Sequence, residues 1–394
     1  MTTTAAFAPD RVGDKSSHRP RVDVLDVLRG IAILGTLGTN VWAFADPDGP
    51  AAGALGGSSP GTGSEWYEAL ARWVFNGKAL AILTLLFGVG LYLQFESAQR
   101  RGGRWLRGYL RRPAVLFAEG LAHYVVIFEW DVLMGYALAG LVAASVLRHR
   151  RTRRVVLALS AAVHIGLIAL LTTHRLQNPP GADVLPAWTS DDYVAQLVGR
   201  LDNAAVYRSE LVVLLPMSVA MFLCGAALWR SGAFGDTAAG ARIRRRLMTL
   251  GLGVALPVNL ALAVAGGAGL FAERYLTAPL VGIGVVAAVT SLLQRHARRA
   301  TAGGPRGAVR RSLAAVGRTA LSCYILQNLL ASALCYGWGL GLAERLGGAS
   351  PWYVPALWLT VCGVNVAAAR WWLRRFGGGP AESLSRRLTG TRRR

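Results

Sequence analysis

The chain has 394 residues, 53% of them hydrophobic, and a formal net charge of +22. The apolar residues fall in long runs, which excludes an array of soluble domains and points to one helical membrane domain. So basic a chain invites a nucleic-acid reading, but that needs a continuous basic surface with stacking aromatics. Here the arginines are scattered over loops and tails that flank the apolar runs, so no nucleic-acid partner is expected.

Residues 1–21 contain no apolar core and read as a disordered cytoplasmic tail without a cleavable signal, the first span acting as its own insertion signal. Apolar stretches follow near 24–45, 73–95, 113–128, 132–147, 155–172, 211–229, 247–267, 276–293, 319–337 and 353–373. The longer ones reach the roughly 20 residues needed to cross a bilayer core as a helix. The runs 113–128 and 132–147 are shorter and predict a tight hairpin. Connections alternate between acidic (Asp46, Asp48, Glu65 and Glu68, then Glu129 and Asp131) and arginine-rich (Arg100 to Arg112, Arg148 to Arg154, Arg242 to Arg246). Basic side chains stay on the cytoplasmic side during insertion. No odd number of spans reproduces this alternation, so about ten transmembrane helices with both termini cytoplasmic are expected. The fold class is an all-α integral membrane protein in a bilayer with anionic lipids.

The organisation expected is a tail at 1–21, an N-terminal helical membrane region at 22–150, a fifth span with its external loop at 151–210, and a C-terminal helical membrane region at 211–390. The external connection 173–210 holds Asn178-Pro179-Pro180-Gly181 and then an amphipathic run from Ser190 to Arg208, read as a short interfacial helix. The Gly/Ser-rich run 49–64 reads as a flexible external loop. Cys224, Cys323, Cys335 and Cys362 lie in apolar spans without Cys-x-x-Cys spacing and read as small packing residues. No metal-ligand spacing occurs among the six histidines, and no metal is expected.

An ionisable side chain inside a bilayer costs about 2.5–3.5 kcal/mol on insertion scales, so each one needs a partner or a purpose. Asp26 and Arg29 are one helical turn apart near the cytoplasmic end of the first span. Thr36 and Asn40 fall on the same face, so one polar stripe runs along the whole helix. Lys78, in Phe75-Asn76-Gly77-Lys78, either snorkels outward or offers a cation to the interior. Glu119 and His123 are four apart and share a face, with His123 about 15 Å from the cytoplasmic end of its span. A carboxylate beside an imidazole orients it and raises its basicity, as a general base requires. His164, Asn259 after Pro257, Gln327, Asn328 and Asn365 read as helix–helix hydrogen-bonding groups.

Several stretches together resemble the YeiB-like family of bacterial membrane proteins. They are Arg21-Val-Asp-Val-Leu-Asp26-Val-Leu-Arg29-Gly30 ending in Asn40, Phe75-Asn-Gly77-Lys78 with Leu86-Phe87-Gly88, and Gly120-Leu-Ala-His123 with Asp131-Val-Leu. Gly317-Arg318-Thr-Ala-Leu-Ser-Cys-Tyr324-Ile-Leu-Gln327 and Gly379-Pro380-Ala-Glu382 complete the set. The resemblance implies a bacterial inner (cell) membrane and a distant relationship to heparan-α-glucosaminide N-acetyltransferase and similar membrane acyltransferases. It thereby implies acyl-CoA as co-substrate, entering from the cytoplasm, and an acceptor from the far side. That enzyme carries its catalytic histidine soon after the first span. This chain has no histidine between His18 and His123, and His123 takes the role by position.

In the acyltransferase reading His123 with Glu119 is the base, Asn40 or Lys78 donates to the developing oxyanion, and Arg29, oriented by Asp26, holds CoA phosphates. The alternative is a proton-coupled transporter or lipid flippase, with the same acid–base pairs as gates. No internal repeat relates the two halves, which many transporters show. The acceptor is unnamed, and a homodimer is compatible with either reading.

Overall fold

The computed structural model describes residues 19–50, 65–102, 105–177, 190–265, 269–299, 305–347 and 350–390. The described residues form helices and turns, with no strand among them. The expected tail at 1–21 lies largely outside them, as do most of the Gly/Ser-rich run and Asn178-Pro179-Pro180-Gly181.

Among the described residues, seven stretches are long and apolar enough to cross a membrane: Asp23–Ala45, Tyr67–Arg100, Arg150–His174, Ala204–Arg230, Ala238–Ala265, Gly269–Arg298 and Trp352–Phe376. Leu133–Val146 and Ala320–Cys335 are shorter apolar helices. The expected third span is the 16-residue helix Arg111–Val126. The fold is that of an all-α integral membrane protein. Burial separates centre from rim: the window in Asp23–Ala45 is 72% buried, those in Arg150–His174 and Ala238–Ala265 only 11% and 17%. The first span is thus the hub, and the last two present leucine and valine outward, as Leu159, Leu170 and Val264 do.

We label the elements that carry the polar centre in chain order: α1, Arg19–Ala45; α2, Glu65–Phe75; α3, Lys78–Arg100; α4, Arg111–Val126; α5, Leu133–Val146; and α6, Tyr193–Asp202. They continue with α7, Glu210–Arg230; α8, Ala238–Met248; α9, Ala278–Arg299; α10, Pro305–Arg318; α11, Ala320–Cys335; and α12, Pro380–Thr389. The run Ser190–Arg208 becomes α6 and the short helix Ala204–Arg208.

Two features depart from the sequence reading. Residues 305–318, expected only as part of a basic connection, form α10, which packs closely on α1. A side chain at Gly317 would strike the backbone carbonyl of Asp26, and one at Gly30 that of Leu313. The eighth apolar helix begins earlier than 276, through a π-helical turn at Ala272–Thr277. Glu273 and Arg274 therefore belong to the helix and not to a loop. A second π turn, Thr249–Ala255, precedes Pro257, whose ring removes one backbone donor and crowds the turn before it.

At the arginine-rich end, α12 folds back under the bundle. Glu382 accepts hydrogen bonds from Leu321 N at 2.7 Å, Ser322 N at 3.2 Å and Ser322 Oγ at 2.5 Å. A carboxylate is well placed there, because the first amides of a helix lack intrahelical partners and carry a partial positive charge.

Candidate functional site

The hairpin of α4 and α5 builds the centre. The helix α4 ends just past His123, whose carbonyl accepts from both Ile127 N at 2.8 Å and Phe128 N at 3.0 Å. The chain turns back, and Asp131 opens the next helix: its Oδ2 accepts from Leu133 N at 2.8 Å and Met134 N at 3.3 Å. That leaves Oδ1 facing His123 Nδ1 at 3.1 Å, a close charge contact off the line of an ideal hydrogen bond. Both side chains are buried, at 1% and 0% exposure.

On the other ring edge Asn328 donates from Nδ2 to His123 Nε2 at 3.0 Å. Asn40 of α1 approaches Asn328 Oδ1 at 3.5 Å. The four side chains thus form one line, Asn40–Asn328–His123–Asp131, whose donors all point toward the carboxylate. In this assignment Nδ1 carries the imidazole proton and Nε2 is the basic nitrogen. Tyr324, one turn before Asn328, stacks on the imidazole with ring centroids 4.9 Å apart. Gln327 donates to Thr36 at 3.3 Å, tying α11 to α1 beside the line.

Two arginines of the 190–208 segment hold the hairpin turn. Arg200 donates to Glu129 Oε1 at 2.8 Å, Val125 O at 3.0 Å and Ile127 O at 3.3 Å. Arg208 donates to the carbonyls of Asp131, at 2.9 Å, and of Glu129. The carbonyls of Val125, Ile127, Glu129 and Asp131 thereby receive arginine donors. The run expected as an interfacial helix thus packs on the turn and, through Arg208, holds the Asp131 backbone.

A second polar cluster surrounds Lys78. Its ammonium lies 3.0 Å from Glu273 Oε1 and 2.5 Å from Trp73 O, both side chains buried. Asn76 donates to the other Glu273 oxygen and accepts from Arg274 at 2.9 Å. Arg274 continues to Glu210 at 3.1 Å, where Tyr275 Oη also donates at 2.5 Å. Asn259 braces the π turn, donating to Glu273 O at 2.9 Å and Thr277 Oγ1 at 2.8 Å. Gly77 allows this approach: its φ of 69° is left-handed, and a side chain there would strike the Arg274 carbonyl.

A cavity of about 40 Å³ lies between the two groups. Thr39, Asn40 and Tyr324 form one wall, and Gly77, Glu210 and Arg274 another. Neither Arg29, Lys78 nor His123 lines it. At that size it accommodates two or three waters and not a pantetheine arm.

The structure therefore joins some of the expected residues and separates others. Asp26 and Arg29 pair at 2.9 Å, as their spacing implies. Asn40 and His123 meet through Asn328. Lys78 turns inward, but toward Glu273 and away from His123. Glu119 is not the partner of His123, a correction of the reading from helical spacing. Its neighbours are Arg112, Ser385 and Glu382, at the arginine-rich end, and Asp131 takes the place beside the ring. The i,i+4 rule says which side chains share a face, whereas the end of α4 decides which neighbour fills it. Sequence reasoning named Asn328 only as a helix–helix hydrogen-bonding group, which it is, and missed Glu210, Glu273 and Arg274. The signal for Asp131 was its position immediately before the apolar run 132–147, where an aspartate serves a helix start.

Residues 228–392 match the family model described as "Protein of unknown function (DUF418)". Over nearly its whole length the chain is similar to two bacterial proteins. It is 28% identical to "Uncharacterized protein YeiB" of Escherichia coli (strain K12), covering 93% of this chain and 95% of that one. It is 26% identical to "Uncharacterized protein YxaH" of Bacillus subtilis (strain 168), covering 94% of each. These matches support a YeiB-like family for the chain. The chain is also 31% identical, over 122 residues or 31% of its length, to "Uncharacterized 39.9 kDa protein in amylase 3'region" of Bacillus acidopullulyticus.

Proposed function

We propose that this YeiB-like protein is a membrane acyltransferase that moves an acyl group from cytoplasmic acyl-CoA to a hydroxyl or amine of an envelope or small-molecule acceptor. The observation that supports it is the buried line Asn40–Asn328–His123–Asp131, one end of which forms a wall of the polar cavity. Asp131, facing Nδ1, stabilises the imidazolium that forms when the Asn328 amide swings off Nε2 and that nitrogen takes the acceptor's proton. The acceptor's oxygen or nitrogen then bonds to the thioester carbon, the C–S bond breaks, and the proton on Nε2 passes to the leaving thiolate. The amide groups of Asn328 and Asn40 are the donors for the oxygen that carries negative charge in between. Lys78, tied to Glu273, has no part in this scheme.

Arg29 and Asp26 sit eleven or more residues from Asn40 on α1, about 16 Å by helical rise. In this reading they receive the CoA phosphates at the arginine-rich end, and the helices part to admit the arm, because the cavity of about 40 Å³ is too small for it. The arginine asymmetry and the bacterial relatives support ten spans, both termini cytoplasmic, and a bacterial cell membrane.

The test is transfer of labelled acetyl from acetyl-CoA by the purified, reconstituted protein, read as release of free CoA against a panel of amines and sugars. Release that depends on His123 supports the reading. Unchanged release in His123→Ala removes His123 as the base, and no release with any acceptor removes the enzyme.

A second reading, a proton-coupled transporter or lipid flippase, is favoured by one observation. Acyl transfer leaves the Lys78–Glu273 and Arg274–Glu210 pairs unused, and both bracket a π turn. Proton-dependent solute uptake into proteoliposomes without an acyl donor distinguishes it.

A further inference from the structure

A cleft of about 160 Å³ opens at the arginine-rich end, between α8 and the last turns of α9. Its walls carry Arg244, Arg245, Arg295 and Arg298 against one carboxylate, Asp236. Two of these arginines are used within the fold. Arg244, buried, donates to Ala233 O at 2.7 Å, Gly235 O at 2.8 Å and Ser291 Oγ at 2.9 Å. Arg298 pairs with Asp236. Arg245 and Arg295 are exposed and have no acidic partner among the described residues.

Gln294 lies in the same wall and is 9% exposed. Its amide nitrogen donates to Phe234 O at 3.1 Å, but its Oε1 is buried without any donor. An orphan buried acceptor is costly, because it has given up water without gaining a donor. A donor is thus wanted beside two guanidinium groups that lack an anion.

A phosphodiester without a hydroxyl satisfies only half of this, since its oxygens fill the arginine forks but carry no hydrogen for Gln294. An ammonium would supply the hydrogen, but the surplus of arginines repels it. A hydroxyl meets both conditions. We propose that this cleft binds a phosphate ester bearing a nearby hydroxyl, the chemistry of a glycerol-phosphate head group. The phosphate lies between Arg245 and Arg295, and the hydroxyl donates to Gln294 Oε1. The cleft opens where two apolar helices end, so an anionic lipid can present the group from the adjoining leaflet. Soluble glycerol phosphate offers the same chemistry without acyl chains.

The test uses the full chain in phosphatidylcholine nanodiscs titrated with phosphatidylglycerol, with retained lipid counted by native mass spectrometry. The expected result is that Arg245→Ala with Arg295→Ala weakens retention by about tenfold or more. Arg246→Ala, on the same helix but outside the cleft, leaves it unchanged. Phosphatidylmethanol, equal in charge but lacking the hydroxyl, binds more weakly to the wild-type chain, and Gln294→Leu abolishes that difference. Displacement of the lipid by glycerol 3-phosphate at similar affinity supports the site with a soluble ester as its ligand. Equal retention by the double variant and the wild type, or equal binding of the two anionic lipids, overturns the proposal. Both arginines are exposed, and thermal unfolding in neutral lipid confirms that the variants fold.

Discussion

Asn328 hydrogen-bonds His123 across 205 positions of sequence, at 3.0 Å and fully out of water. That contact joins the C-terminal half of the chain to the α4–α5 hairpin and decides the chemistry of the ring. An amide N–H aimed at Nε2 leaves the proton on Nδ1, where Asp131 faces it. In the proposed reaction a histidine so placed is a base with its orientation already set.

Replacing that base provides the sharpest check. In His123→Ala, acetyl release from acetyl-CoA is expected to fall by about 10²–10⁴-fold, the range for general-base catalysis. Asp131→Asn should fall less in amount but shift the pH profile, because the neutral amide no longer stabilises the imidazolium. Glu119→Gln, remote from the ring, should leave that profile where it is.

The Lys78–Glu273 pair predicts a strongly non-additive pattern. Removing one partner, as in Lys78→Met or Glu273→Gln, strands a buried charge and is expected to cost about 3–5 kcal/mol. Removing both should cost clearly less than the sum of the two single changes. A double-mutant cycle on unfolding in detergent reads the difference, and simple additivity would show that the pair is not coupled.

Gly77 is held at a φ of 69° with the Arg274 carbonyl against its α-carbon. Gly77→Ala meets both a left-handed backbone, worth about 1–2 kcal/mol, and a backbone collision. A lowered unfolding midpoint is expected, together with loss of the Asn76–Arg274 contact. Gly102, also left-handed but with open space around it, is the control: Gly102→Ala should show the smaller loss.

Asp236 lies in the turn between two spans, and the hydrogen bond from Arg298 holds its carboxyl below the ordinary carboxylate range. Its contribution to stability is complete above the unfolded-state value and is lost as pH falls through the lowered folded value. Asp236→Asn should therefore unfold slightly earlier than the wild type at neutral pH. The two curves should converge in strong acid. A difference that persists there would assign the effect to something other than ionisation.

The helices and their order are legible in the sequence, because runs of apolar residues bounded by arginine have few other solutions in a bilayer. The Asp26–Arg29 pair is legible for the same local reason, since one turn of helix brings the two side chains together. His123 and Asn40 stand out as costly polar groups, yet nothing local says that Asn328 joins them. Glu119 misleads because it shares a face with His123 while α4 stops one turn later and returns Asp131 to the ring. Glu273 and Arg274 hide in the opening turns of an apolar helix, where charge makes a span look like a loop. Arginines conceal α10 in the same way, although its Gly317 and the Gly30 of α1 let the two backbones nearly touch.

The carboxylate of Glu382 closes the start of α11, the helix that carries Tyr324 and Asn328. A segment translated after α11 thus completes the scaffold for residues inserted before it. During synthesis the imidazole waits for a partner that cannot be anchored until position 382 has been made. A premature stop codon upstream of position 382 would therefore leave a chain inserted in the bilayer with its centre unassembled, a defect visible in chemistry before it is visible in abundance.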